Sequence, residues 1–158
     1  MMRKRENIMT KRITAFFLLL CVLLISGCGR LSAEEYRDEL RSCWSDYMSA
    51  QMDIAFDIQT LDESGELPAE FEEHCKAFEK AMKSFEKIKP PNGMDYKHEL
   101  LLEPLANERE WLAAVRALTS AATPEEIEQA EQRIMAAASY ENSFPQRYIE
   151  VFRELPRD

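Results

Sequence analysis

The feature that most constrains the fold is the spacing of apolar residues in the middle of the chain. Between residues 71 and 88 they recur at intervals of four and three, at Phe71, Cys75, Phe78, Met82, Phe85 and Ile88. This period places them on one face of an α-helix. Only 4 glycines occur among the 158 residues, and no run alternates as a half-buried strand does. The sequence therefore predicts an all-α protein.

Two helices are expected in the first half of residues 32–158. The first starts at a capping-box pattern, Ser32 with Glu35, and ends at "DESGEL" (62–67). Pro68 suits the first turn of the second helix, which "KPPNG" (89–93) ends. The apolar stripe of the first helix consists of Tyr36, Leu40, Cys43, Tyr47, Ala50, Ile54, Ile58 and Leu61, flanked by Trp44 and Met48.

Two more helices are expected in the second half, each with an internal proline. Pro104 is expected to kink the third helix or delay its start, and the fourth is expected to bend at Phe144-Pro145. The third helix carries Leu101, Leu105, Leu112, Val115 and Leu118, and the fourth carries Ile127, Ile134, Ala138, Tyr148, Phe152 and Leu155. Thr123-Pro124-Glu125-Glu126 is a second capping-box pattern. Four amphipathic helices with short loops predict an antiparallel up-down-up-down four-helix bundle over residues 32–158.

The N-terminal segment has the parts of a secretory signal. Five basic residues and one acid precede an apolar run over residues 13–25, too short for a helix to cross a ~30 Å hydrocarbon core. Residues 25–28, Ile-Ser-Gly-Cys, resemble the bacterial lipobox. The resemblance implies a signal peptide over residues 1–27, cleavage before Cys28 and acylation of Cys28. The alternatives are an ordinary signal peptide and a core helix with a chance cysteine.

Lipidation at Cys28 would fix where the protein resides. Two or three acyl chains anchor a protein stably, so we expect the extracytoplasmic face of the cell membrane. Residues 28–31 would be a short tether between the lipid and the bundle. A second resemblance lies at 85–101, "FEKIKPPNGMDYKHELL", which is similar to the mid-chain of small helical lipoproteins of Gram-positive bacteria. It implies a helical fold and carries no site.

Acidic residues are concentrated in two stretches. From Ser42 to Cys75 and from Ala117 to Gln132 there are thirteen acids and no Lys or Arg. Cleavage before Cys28 would also change the formal net charge from −9 to about −13, which argues against nucleic acid as a partner. We expect both stretches at the end of the bundle away from the membrane. There an acidic tip, Asp62, Glu63, Glu66, Glu125 and Glu126, would bind a cationic protein or peptide; solubility alone is the other interpretation.

The cysteines and histidines provide no clear catalytic or metal site. Cys43 and Cys75 are separated along the predicted hairpin by roughly 18 Å, far beyond the ~7 Å that bridged Cα atoms allow. Free core thiols are therefore expected, with a disulfide, intermolecular pairing or metal binding as alternatives. "EEHC" (72–75) lacks the convergent ligands of a zinc or di-iron site. Residues 62–73 have Leu67 where a calcium loop needs glycine.

These observations predict a protein that is not an enzyme and needs no cofactor. No phosphate loop, nucleophile elbow or zinc-protease motif occurs, and two histidines leave few general bases. The first hypothesis is a membrane-anchored interaction or scaffold module. The alternative is a bundle that binds a small ligand or peptide between its helices, which would require a core cavity with convergent polar groups.

Overall fold

A computed structural model describes residues 30–138 and 143–155. The signal segment and Cys28 lie outside the described residues. Residues 31–158 form one compact unit. Its helices are α1 (Ala33–Ser64), α2 (Phe71–Lys87), α3 (Asp95–Leu102), α4 (Leu105–Ser120), α5 (Pro124–Ala137) and α6 (Phe144–Arg153).

The all-α class is confirmed, but the count of four helices is not. Six helices and no strand occur in the described part of the chain. The expected third helix is divided at Glu103-Pro104, because Pro104 has no N–H to donate and instead precedes the first turn of α4. The expected fourth helix is divided between Ala138 and Ser143, and Pro145 lies in the first turn of α6. None of the helices described is long and apolar enough to cross a membrane.

The ends of the helices follow the capping patterns of the sequence, with one exception. Ser32 Oγ accepts from the Glu35 N–H at 3.2 Å, and Glu35 accepts from the Ser32 N–H at 2.8 Å. Gly65 ends α1 in the left-handed conformation, φ +74°, which favours glycine. The expectation that Pro68 lies in the first turn of α2 is wrong. Its carbonyl accepts from the N–H of Phe71, the first helical residue, so Pro68 belongs to the preceding turn.

The core is built on α1 and α2, which run antiparallel. Asp57 contacts His74, and Tyr47, earlier in α1, contacts Phe78 and Phe85, later in α2. The helix α6 covers the N-terminal half of α1. There Trp44 stacks on Tyr148 at a centroid distance of 4.1 Å. Burying one such aromatic ring contributes about 1.5–3 kcal/mol, so this cluster is a main source of stability.

The predicted stripes of α1 and α2 are largely confirmed, whereas that of α5 is not. In α1 the first six stripe residues are buried, and Ile58 and Leu61 are half-buried. In α5 the only buried residue is Ala130, while Ile127 and Ala138 are exposed. The reason is that α5 packs mainly on α4 and uses its small Ala130 at that contact. Its larger apolar residues therefore do not all face the core.

Candidate interaction surface

The loop after α1 and the loop after α4, which adjoin the acids of the predicted tip, lie at the same end of the helical unit. Arg116, one turn before the end of α4, donates to both carboxylate oxygens of Glu72, the second residue of α2, at 3.0 and 3.2 Å. This pair holds the end of α4 beside the start of α2. The loop after α1 and the loop after α4 are consequently neighbours at this end.

All five residues of the predicted acidic tip are exposed, but their environments differ. Glu126 completes the capping box of α5 and accepts from the N–H groups of Ala122 and Thr123 at 2.8 and 3.1 Å. These backbone hydrogen bonds lower the pKa of the Glu126 carboxyl. Glu63 accepts from the Gln59 side chain at 2.7 Å. Glu126 therefore has a structural role, whereas Asp62, Glu66 and Glu125 leave their carboxylates available at the surface.

Arg116 partly neutralises the acids that border the tip. Besides Glu72 it contacts Glu79, to which it donates at 2.7 Å. The guanidinium is about one third exposed, and the two carboxylates raise its pKa. The sequence hypothesis treated Glu72 as part of a continuous acidic stretch without a base. The fold brings in a cation from Arg116, which immediately precedes the other acid-rich stretch, residues 117–132.

Asp57 is a core residue that the sequence interpretation counted among the surface acids. It is only 3% exposed, and its Oδ2 lies 2.7 Å from His74 Nδ1. The hydrogen bond to Asp57 is the main cause of a raised pKa at His74. Asp57 follows Ile54 by three residues and precedes Leu61 by four, a spacing that already placed it on the buried stripe.

Two further polar pairs are buried among the aromatic rings. The Tyr47 hydroxyl donates to Glu108 Oε2 at 2.8 Å, and burial raises the pKa of the Glu108 carboxyl. A hydrogen bond of 2.9 Å joins the Tyr36 hydroxyl to His98 Nδ1, and burial lowers the pKa of His98. The contact between His98 and Tyr36 fixes α3 against α1.

The cysteine prediction is confirmed, because Cys43 and Cys75 are both free and buried. Burial raises the pKa of each thiol to about 11, so both stay protonated and unreactive at neutral pH. Within residues 30–138 and 143–155, no group of three or more His, Cys, Asp or Glu side chains is arranged to hold a metal ion.

A pair of adjoining grooves runs along the seam between α1 and α2. One has a volume of about 280 Å³, the other about 300 Å³, and they share Asp46 and Ser84. Both open to solvent. Their walls are polar and mixed in charge, with Glu39 and Asp53 from α1 and Lys80 and Lys87 from α2. They are surface features and not enclosed binding cavities.

Comparison with known proteins adds no relative. No protein-family model, curated protein or solved structure matches the chain.

Proposed function

We propose that the chain is a lipid-anchored, extracytoplasmic interaction module without enzymatic activity, held at the cell membrane through Cys28. The observation that carries the proposal is the grouping of exposed carboxylates from the end of α1, the loop after it and the first turn of α5 at one end of the helical unit. Asp62, Glu66 and Glu125 are exposed there, and no ion pair among the described residues involves any of them. These carboxylates are therefore available to pair with positive charges on a partner.

The length of α1 supports a separation between anchor and tip. The helix has 32 residues and spans roughly 48 Å. Only residues 29–31 stand between the lipidated cysteine and Ser32, so the start of α1 would lie close to the membrane. The other end of α1, with the acidic tip, would then project away from it.

In this proposal the helices act as an up-down-up-down bundle of four. The third member would be α3 with α4, interrupted at Pro104, and the fourth would be α5 with α6. The antiparallel contacts of α2 with both α1 and α4 support it, since Phe78 contacts Tyr47 on one side and Trp111 on the other. Such a unit is a rigid spacer that presents its tip at a fixed distance.

A cationic protein or peptide is the partner class that this surface favours. An acidic field steers cations, repels nucleic acid and weakens as salt screens it. No cofactor is part of the proposal. The alternative of a ligand held between the helices is less favoured, because the grooves described above open to solvent.

The experiment compares the full chain in neutral-lipid nanodiscs with a variant that carries Asp62→Asn, Glu66→Gln and Glu125→Gln. The probe is a fluorescent oligolysine peptide followed by polarisation. We expect several-fold weaker binding by the variant and loss of binding in 1 M salt, where the Debye length is ~3 Å. Glu126 is left intact because it caps α5.

A matched control carries Glu39→Gln, Glu99→Gln and Glu103→Gln, three exposed acids away from the tip. This control changes the net charge by the same amount. If it weakens oligolysine binding as much as the tip variant does, the effect is one of net charge and the tip is not a binding surface.

A further inference from the structure

An apolar stripe on α1 winds away from the core. Trp44, Met48, Met52 and Phe56 follow one another at intervals of four residues. Because a helix turns in 3.6 residues, each step advances by about 40° around the axis. Trp44 is covered by Tyr148 and Met48 is half-buried, but Met52 and Phe56 are 66% and 68% exposed.

Met52 and Phe56 form an apolar pair on the outer face of α1. They lie one turn apart, so their side chains are neighbours. The core side of this helix is already occupied by Ile54 and Asp57, and no other described helix covers the pair. A large aromatic and a flexible thioether lie side by side there, and the thioether can adapt its shape to varied apolar partners.

The surroundings of the pair carry only negative charge along α1. Asp53 is adjacent to Met52, and Glu63 lies two turns beyond Phe56 on the same side. Both carboxylates are exposed, and neither belongs to an ion pair of the described residues. From Ser42 to the end of α1 there is no Lys or Arg. The face therefore combines apolar contact area with an acidic border, in which Asp53 also lines the groove to which Lys80 contributes.

We propose that this outer face of α1 is a docking site for a cationic amphipathic helix. The partner's apolar side chains would pack on Met52 and Phe56, and its Lys or Arg residues would pair with Asp53 and Glu63. The inference rests on the proposed function. It adds that the cationic partner binds the outer face of α1 and that the partner is a helix. A second copy of this chain fits less well, because its own Asp53 and Glu63 would meet like charges.

The test uses the full chain in neutral-lipid nanodiscs and a synthetic amphipathic helix of leucine and lysine. A second peptide has the same composition in an order that is not amphipathic. A photo-crosslinking residue replaces exposed Gln59, which lies three residues after Phe56, and in a separate protein it replaces exposed Gln129 on α5. Crosslinking reports contact at that site, so peptide bound to lipid does not contribute.

We expect the amphipathic peptide to crosslink at position 59 and not at position 129. Met52→Ser with Phe56→Ser should weaken its affinity about tenfold or more, because central aromatic and apolar anchors dominate such contacts. Both residues are exposed, so the folded core is left intact. The matched control is Met135→Ser, which removes an apolar side chain that is 76% exposed on α5, and it should leave the affinity unchanged.

Equal binding of the two peptides, or equal effects of the double variant and the control, would overturn the proposal. A crosslink at position 59 to a second copy of the chain would overturn it too, in favour of a homodimer. If the variant with Asp62, Glu66 and Glu125 neutralised loses oligolysine binding while the double variant keeps the amphipathic peptide, the proposed function stands and this inference fails. If neither variant has an effect, both fail.

Discussion

At the scale of single residues, Asp57, His98 and Glu108 are buried polar side chains that are each hydrogen-bonded to a residue of another helix. Glu108 is buried with two donors, the hydroxyl of Tyr47, which lies 61 residues earlier, and the backbone N–H of Phe144. An acid at such a position is otherwise indistinguishable from one on the surface. Asp57 was the more predictable case, since helical spacing placed it on the apolar stripe. Its partner His74 comes from the next helix and had no pattern of its own.

The two histidines are expected to titrate on opposite sides of the ordinary pKa of 6.5. The pKa of His74 is raised by its hydrogen bond to Asp57, and the pKa of His98 is lowered by burial. The stabilisation from the His74 pair is fully present below pH 6.5 and is lost as the pH rises through its folded-state pKa. For His98 the sign reverses, because below pH 6.5 the unfolded chain takes up the proton first. Two-dimensional NMR of the imidazole C–H groups measures both values.

The control for this titration is Asp57→Asn. It should lower the pKa of His74 and leave His98 unchanged, because His98 contacts Tyr36 and not Asp57. Identical titration of both histidines near pH 6.5, or a His74 pKa that does not respond to Asp57→Asn, would show that the pair is absent in solution.

At the scale of helices, the sequence predicted those elements whose apolar face and caps agree. The helices α1 and α2 follow one another in the chain and pack their stripes against each other, so local pattern and packing coincide. For α5 they do not coincide. Periodicity shows that Ile127 and Ile134 share a face, but it does not fix the direction of that face. Packing on α4 decides it, and Ile127 stays exposed.

Thr123→Ala is expected to destabilise α5 by about 1 kcal/mol. The Thr123 hydroxyl accepts from the Glu126 N–H at 3.2 Å, and this helix buries only Ala130, so it has little packing to replace a lost cap. Hydrogen exchange should therefore accelerate mainly at α5 amides. Thr60→Ala is the matched control, since that hydroxyl bonds only to the Phe56 carbonyl within α1. Equal exchange in the two variants would contradict a structural role for the capping box.

At the scale of the whole molecule, the fold brings the acidic stretches together at one end, whereas the lipid anchor is predicted from the sequence alone. The acidic stretches are distant in sequence but share one end because α4 returns to the start of α2, where Arg116 pairs with Glu72. The lipid on Cys28 is predicted from residues outside the described part of the chain. The proposed function depends on Cys28, because an interaction module held at the cell membrane requires the anchor.

The most direct test is mass spectrometry of the mature protein purified from the membrane fraction. We expect Cys28 to be the N-terminal residue, residues 1–27 to be absent and the Cys28 thiol to carry a diacylglyceryl group. Cys28→Ser should leave the chain unprocessed or released from the membrane. A chain that retains residues 1–27, or one with an unmodified Cys28 thiol, would contradict lipid anchoring through Cys28.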